Sequence, residues 1–156
     1  EFFLAHNNLA NALTKAGLLE EALAHYKIAI KISPDYFQAH FNLGNALASN
    51  SNLDEAIIQY KIAIKIKPED AQAQNNLGIS LAKKGDLEEA IIYFKNVIVI
   101  NPDDAMAHNN LGGALLMEGK NKEAASHFRS AIKIRPDYAD ALKNLKIALY
   151  QTSELR

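Results

Sequence analysis

A chain of 156 residues with 17 Lys and Arg against 18 Asp and Glu carries a formal charge of -1, so it lacks the basic excess that a nucleic-acid partner demands. Its longest apolar run, broken by Lys95 and Asn96, is far too short to span a bilayer, and the absence of cysteine excludes disulfides and thiolate metal sites and fits a reducing, cytoplasmic location. The chain opens at Glu1 with no Met and no leader, and reads as a piece of a longer protein whose exposed Phe2, Phe3 and Leu4 point to an upstream extension.

The prolines set the frame. Pro34, Pro68, Pro102 and Pro136 are the only four, and each follows the last by 34 residues, a regularity that a stacked array of two-helix units requires and a single compact core does not. Within each unit the first segment carries Leu9, Leu43, Leu77, Leu111 and Leu145, followed four residues later by Leu13, Leu47, Leu81, Leu115 and Leu149, which marks one helix face. Ala10, Gly44, Gly78 and Gly112 stand between those leucines. Glycine inside a helix is costly, so a close backbone approach by a partner helix is expected there.

A turn follows at Gly17, Ser51, Gly85 and Gly119, and the pairs Asn52 with Glu55 and Asp86 with Glu89 have the spacing of capping boxes for a second helix. That helix presents Ala22, Ala56, Ala90 and Ala124, then Tyr26, Tyr60, Phe94 and Phe128, then Ile30, Ile64, Ile98 and Ile132, again one stripe. Acids such as Glu20, Asp54 and Glu88 open it, and Lys31, Lys65, Lys133 and Arg135 close it, in keeping with the helix dipole. The acid after each proline (Asp35, Glu69, Asp103, Asp137) is placed to cap the next helix. Residues 28–32 and 97–100 alternate like strands, yet the four-residue stripe runs through both, and the repeat overrides the local propensity.

These columns resemble the tetratricopeptide repeat, which has leucine then glycine in its first helix, alanine then an aromatic in its second, and a terminal proline. The resemblance implies an all-α helix-turn-helix solenoid, a right-handed superhelix forming a single array over residues 1–156. It has four repeats (3–36, 37–70, 71–104, 105–138) and a C-terminal capping helix at 139–151. The early tryptophan of the family is missing, its column reading His6, His40, Gln74, His108 and Leu142. Lys146 takes the glycine position in the last helix, as suits a cap with one face in water.

By the same resemblance, the first helices line the concave side, and one column there has no packing explanation. Asn8, Asn42, Asn76, Asn110 and Asn144 are unbroken although asparagine is a poor helix-interior residue. A side-chain amide can pair with an extended backbone, and this column resembles the asparagine ladder of O-linked N-acetylglucosamine transferases, where such residues hold polypeptide substrates. The competing reading is that the amides tie each repeat to its neighbour by bonding the neighbouring helix's backbone. Asn7, Asn11, Phe41, Asn45, Asn75 and Asn109 flank the column, with Gln38 and Gln72 beside them. Lysines that hold a terminal carboxylate in chaperone-binding relatives are replaced by Asn7 and Gln72, so no C-terminal carboxylate is expected to be needed.

The partner expected from this is a protein or peptide segment, with no nucleic acid and no membrane. An alternative is assembly through the open N-terminal end or a convex face carrying Ile28, Ile58, Ile62, Ile92, Tyr93 and Val99, which suits weak homo-oligomerisation. A third is service as the substrate-recognition arm of a larger glycosyltransferase. His6, His40 and His108 recur with the repeat and need no metal, and no phosphate loop or nucleophile motif is present; neither catalysis nor a cofactor is expected of these residues.

Overall fold

A computed structural model describes residues 1–152. These form nine α-helices and, among the described residues, no strand: α1 (Phe2–Lys15), α2 (Leu19–Ile32), α3 (Phe37–Ser49), α4 (Leu53–Ile66), α5 (Ala71–Lys84), α6 (Leu87–Ile100), α7 (Ala105–Met117), α8 (Asn121–Ile134) and α9 (Ala139–Gln151). The strand-like stretches at 28–32 and 97–100 lie inside α2 and α6; within them Ala29 and Val97 are the buried positions, three residues after Tyr26 and Phe94, while Ile30 and Ile98 of the expected stripe are half-buried. None of these helices is long and apolar enough to cross a membrane.

The helices fall into two compact units, one from Glu1 to Ser80 and one beginning at Leu81, with α5 running from the first into the second. In the first unit α1 packs on α2, α2 on α3 and α3 on α4, while α1 and α3 also touch. The second unit repeats the scheme: α6 packs on α7, α7 on α8 and α8 on α9, and α7 meets α9.

What sets the distance between paired helices is an aromatic ring. Tyr26, Tyr60, Phe94 and Phe128 are at most 2 % exposed. A methyl built on Gly44 would lie 2.7 Å from a Tyr60 ring carbon, and one on Gly112 only 2.6 Å from Phe128. The close approach foreseen from the glycines is therefore made by a side chain, not by a partner backbone. Burying such a ring contributes about 1.5–3 kcal/mol, which outweighs the roughly 1 kcal/mol that a mid-helix glycine costs.

Chain reversals follow from local backbone chemistry. Ser33, Lys67, Asn101 and Arg135 precede the four prolines, and their φ values lie between -130° and -136°. The proline ring pushes its predecessor out of the helical region, so each second helix stops at the same place. The turns inside the repeats use positive φ at Gly17, Gly85 and Gly119, and at Ser51 with φ 60°.

Capping differs from the sequence expectation in two ways. Asn52 and Asp86 occupy the N-cap positions of α4 and α6 but make no side-chain cap bond, their ψ of 70° and 64° falling short of extended backbone. The acid that caps is also one residue later than expected: Asp70 Oδ1 accepts from the Ala73 amide at 2.8 Å, and Asp104 Oδ1 from Met106 and Ala107 at 2.9 and 3.0 Å. Where tyrosine replaces that aspartate the ring packs instead, Tyr36 edge-on to Phe3 at 4.8 Å and Tyr138 beneath the Arg135 guanidinium at 3.7 Å.

Two substitutions test this backbone account in opposite directions. Ser51→Gly relieves a left-handed conformation and is expected to raise stability by about 1 kcal/mol. Gly112→Ala overpacks the Phe128 ring and is expected to lower it by about 1–2 kcal/mol despite the better helix propensity. Urea unfolding midpoints measure both, and a gain for Gly112→Ala would refute the ring contact as the spacing constraint.

Candidate functional site

The asparagine column folds into a side-chain network. Asn42 on α3 points its amide nitrogen at Asn7 Oδ1 (3.1 Å) and Asn11 Oδ1 (3.0 Å) on α1, and its own oxygen accepts from Gln38 Nε2 at 3.1 Å. Asn76 donates to Asn45 Oδ1 at 2.9 Å, and Asn144 on α9 to Asn109 Oδ1 on α7 at 3.2 Å. The amides thus bond neighbouring first helices through side chains, where the sequence reading of a repeat-to-repeat tie had placed the partner on the backbone. Each such bond is worth about 1 kcal/mol net, enough to offset asparagine's poor helix propensity.

Exposure sorts the candidate residues. Asn8 is exposed, whereas Asn42, Asn76, Asn110 and Asn144 are half-buried, as are Asn11, Asn45 and Asn109. Asn7 and Asn75 are buried, and so is Phe41, which stacks on Phe37 at 5.7 Å and tilts against Tyr60 at 6.3 Å.

Two residues that the sequence reading did not place at the site complete it. Tyr26 OH donates to Asn11 Oδ1 and Tyr60 OH to Asn45 Oδ1, each at 2.7 Å. Burial pushes the Tyr60 pKa up to about 12 and raises that of Tyr26, each against a smaller lowering by a side-chain hydrogen bond, so both hydroxyls stay protonated donors across the physiological range. The sequence held a signal for this pairing: the two repeats with tyrosine have Asn11 and Asn45 fifteen residues before it, while Phe94 and Phe128 are matched by Ile79 and Gly113.

The family-tryptophan column serves as a tie. His40 Nε2 meets the Pro34 carbonyl at 2.8 Å, Gln74 Nε2 donates to that of Pro68 at 2.6 Å, and His108 Nε2 meets that of Pro102 at 3.2 Å. Nineteen residues on, each histidine meets the second helix: His6 with His25 at 2.8 Å, His40 with Gln59 at 2.8 Å, His108 with His127 at 3.1 Å. Both His–His pairs are stacked rings. Among the described residues no three potential metal ligands converge. On α2, α4 and α6, Ile58, Ile92 and Val99 are 54 %, 56 % and 80 % exposed, Ile28 less so, and Ile62 and Tyr93 are half-buried.

Burial lowers the His127 pKa, helped by His108 and Lys95 and opposed by Glu123. With its folded value below the unfolded one, the ring stays neutral in the native state while the unfolded chain takes up a proton. Its share of stability is whole above about pH 6.5 and is lost as pH falls below that. Urea midpoints are expected to drop between about pH 7.5 and pH 5.5, and His127→Gln, which copies the His40–Gln59 pair, to flatten the drop. An unaltered pH slope in that variant would contradict the assignment.

Comparison with known proteins agrees with this architecture. A family model described as TPR repeat matches residues 10–51 and 44–85, and one described as Tetratricopeptide repeat matches 69–137. Among solved structures the chain is similar to YrrB, described as a TPR protein with an unusual peptide-binding site, with 26 % identity and a TM-score of 0.86 over 97 % of this chain and 78 % of that one. It is also similar to MamA (20 % identity, TM-score 0.94, 98 % and 84 % covered) and to pilF of Pseudomonas aeruginosa (22 %, 0.82, 99 % and 70 %). No curated protein sequence matched.

Proposed function

Because the chain belongs to the tetratricopeptide repeat family, we propose that it is a protein-interaction scaffold, its four repeats (3–36, 37–70, 71–104, 105–138) and capping helix forming one array that binds an extended polypeptide along its first helices. The observation that carries this reading is the run of half-buried, uncharged amides on α1, α3, α5, α7 and α9. Asn42, Asn76, Asn110 and Asn144, with the exposed Asn8, form its centre and Asn11, Asn45 and Asn109 its flank. Buried Asn7, Asn75 and Phe41 support them from below. A peptide-binding site in the YrrB relative favours the same use of the fold.

Amides that alternate donor and acceptor suit main chain better than any one side chain, so recognition would be broad in sequence. The likeness to the ladder of O-linked N-acetylglucosamine transferases supports an extended substrate, and placement as the recognition arm of such an enzyme rests on that likeness alone. Peptides selected from a random display library provide the test. Replacing Asn42, Asn76 and Asn110 with alanine is expected to weaken the selected peptide about tenfold or more, while circular dichroism in the cold retains the helices. Amidating the peptide's C-terminus is expected to leave affinity unchanged. Undiminished binding in the triple variant would end this reading.

A second reading rests on the exposed apolar residues of the outer helices, Ile58 on α4 and Ile92 and Val99 on α6. They suit weak self-association. Sedimentation velocity over a concentration series decides it: a dimer that Ile92→Asp abolishes supports the idea, and a monomer throughout removes it.

A further inference from the structure

The two tyrosine-bonded asparagines have both lone pairs of the amide oxygen engaged and leave the NH2 group unused. Asn11 Oδ1 accepts from Tyr26 OH at 2.7 Å and from Asn42 Nδ2 at 3.0 Å, and Asn45 Oδ1 accepts from Tyr60 OH at 2.7 Å and from Asn76 Nδ2 at 2.9 Å. A carbonyl oxygen has two lone pairs, so both are committed. The amide is thereby locked, and its NH2 group faces the other way with no partner among the described residues. Asn42 differs, since its nitrogen and its oxygen are both bonded.

Asn11 and Asn45 border one cavity of about 320 Å³ in the first unit, together with Lys15, Thr14 and Ser49. No carboxylate lines it. Lys15 is its single charge, is exposed, and has no ion-pair partner among the described residues. The Thr14 hydroxyl is already given to the Ala10 carbonyl at 2.9 Å. What remains is a surplus of donors: two amide NH2 groups, an ammonium and the Ser49 hydroxyl. Such a cavity is matched by a ligand group that accepts several hydrogen bonds and carries one negative charge. A phosphate, with nearly two charges, would meet a single cation.

We propose that this cavity holds the side-chain carboxylate of an aspartate or glutamate within the bound polypeptide, making the first two repeats the part of the chain that reads sequence. The proposal rests on the polypeptide reading given above. It separates the two halves of the ladder: in the second unit Gly113 holds the position of Asn45 and Phe128 that of Tyr60, so neither the locked amide nor its tyrosine is present.

The test uses the full chain labelled with nitrogen-15 and two peptides, acetyl-Gly-Ala-Ala-Glu-Ala-Ala-Gly-amide and the same peptide with glutamine for glutamate. Blocked ends remove any terminal carboxylate. Side-chain NH2 resonances, assigned through Asn11→Ser and Asn45→Ser, report binding at each amide. The glutamate peptide is expected to shift those of Asn11 and Asn45 and to bind about tenfold tighter than the glutamine peptide. Asn11→Asp keeps the oxygens that receive Tyr26 and Asn42 but replaces the donors with charge, and is expected to abolish the preference at an unchanged melting temperature. Lys15→Met should reduce it.

Equal responses to the two peptides would overturn the carboxylate site and leave polypeptide binding standing. Shifts confined to other asparagines would overturn its location. Silence to both peptides at millimolar concentration would overturn it as well, and the display selection then decides polypeptide binding by itself.

Discussion

The contact between a buried ring and a glycine fixes the geometry of this chain. Tyr60 lies over Gly44 and Phe128 over Gly112 so closely that a single methyl would overlap the ring. In the second and fourth repeats the first helix gives up its Cβ there, and the second offers an aromatic at the level where that gap lies. Everything else in a repeat is hung on this pair. It brings leucines such as Leu43 and Leu47 into the interior, and it turns the next column outward, where the asparagines stand. The first repeat accepts Ala10, fully buried, at the same level.

The hydrogen bonds are the second layer of the design. Backbone donors and acceptors are consumed within helices, leaving side chains to join one first helix to the next. Amides suit that task because each carries both a donor and an acceptor, and their bonds lie in a half-buried zone where water competes less well. The histidine column does the corresponding work at the helix ends. His40, Gln74 and His108 all reach the carbonyl of the proline six residues before them, an atom that has no helical partner of its own. Histidine and glutamine are interchangeable at this point because the task is to place one N–H.

Most of the fold could be read from periodicity, because proline spacing and the leucine, alanine and aromatic columns each repeat at least four times and agree with one another. What could not be read was local. The Asn52–Glu55 spacing of a capping box does not say whether the backbone will open to the extended conformation that capping needs, and here it stops short. A proline followed by an acid does not say which of two adjacent positions becomes the cap, and the chain uses Asp70 and Asp104 one step beyond Glu69 and Asp103. The candidate site was legible as a column but not as a network. Asn42 and Asn11 are 31 residues apart, and only packing of α3 against α1 makes them neighbours.

That interval has a consequence for how such a chain can change. An oxygen on Asn45 is shared between a tyrosine in its own repeat and an amide in the following one, so three side chains from two repeats form one indivisible group. Losing the hydroxyl of the ring removes one of the two bonds that hold the asparagine, while the downstream amide can find another acceptor, as Asn144 does on Asn109 where Gly113 replaces that asparagine. The passage from Tyr60 with Asn45 to Phe94 with Ile79 has that signature: two positions exchanged together. Within this chain, then, an asparagine fifteen residues before the ring accompanies tyrosine and not phenylalanine, whereas the amide of the following repeat is kept in either case, as Asn76, Asn110 and Asn144.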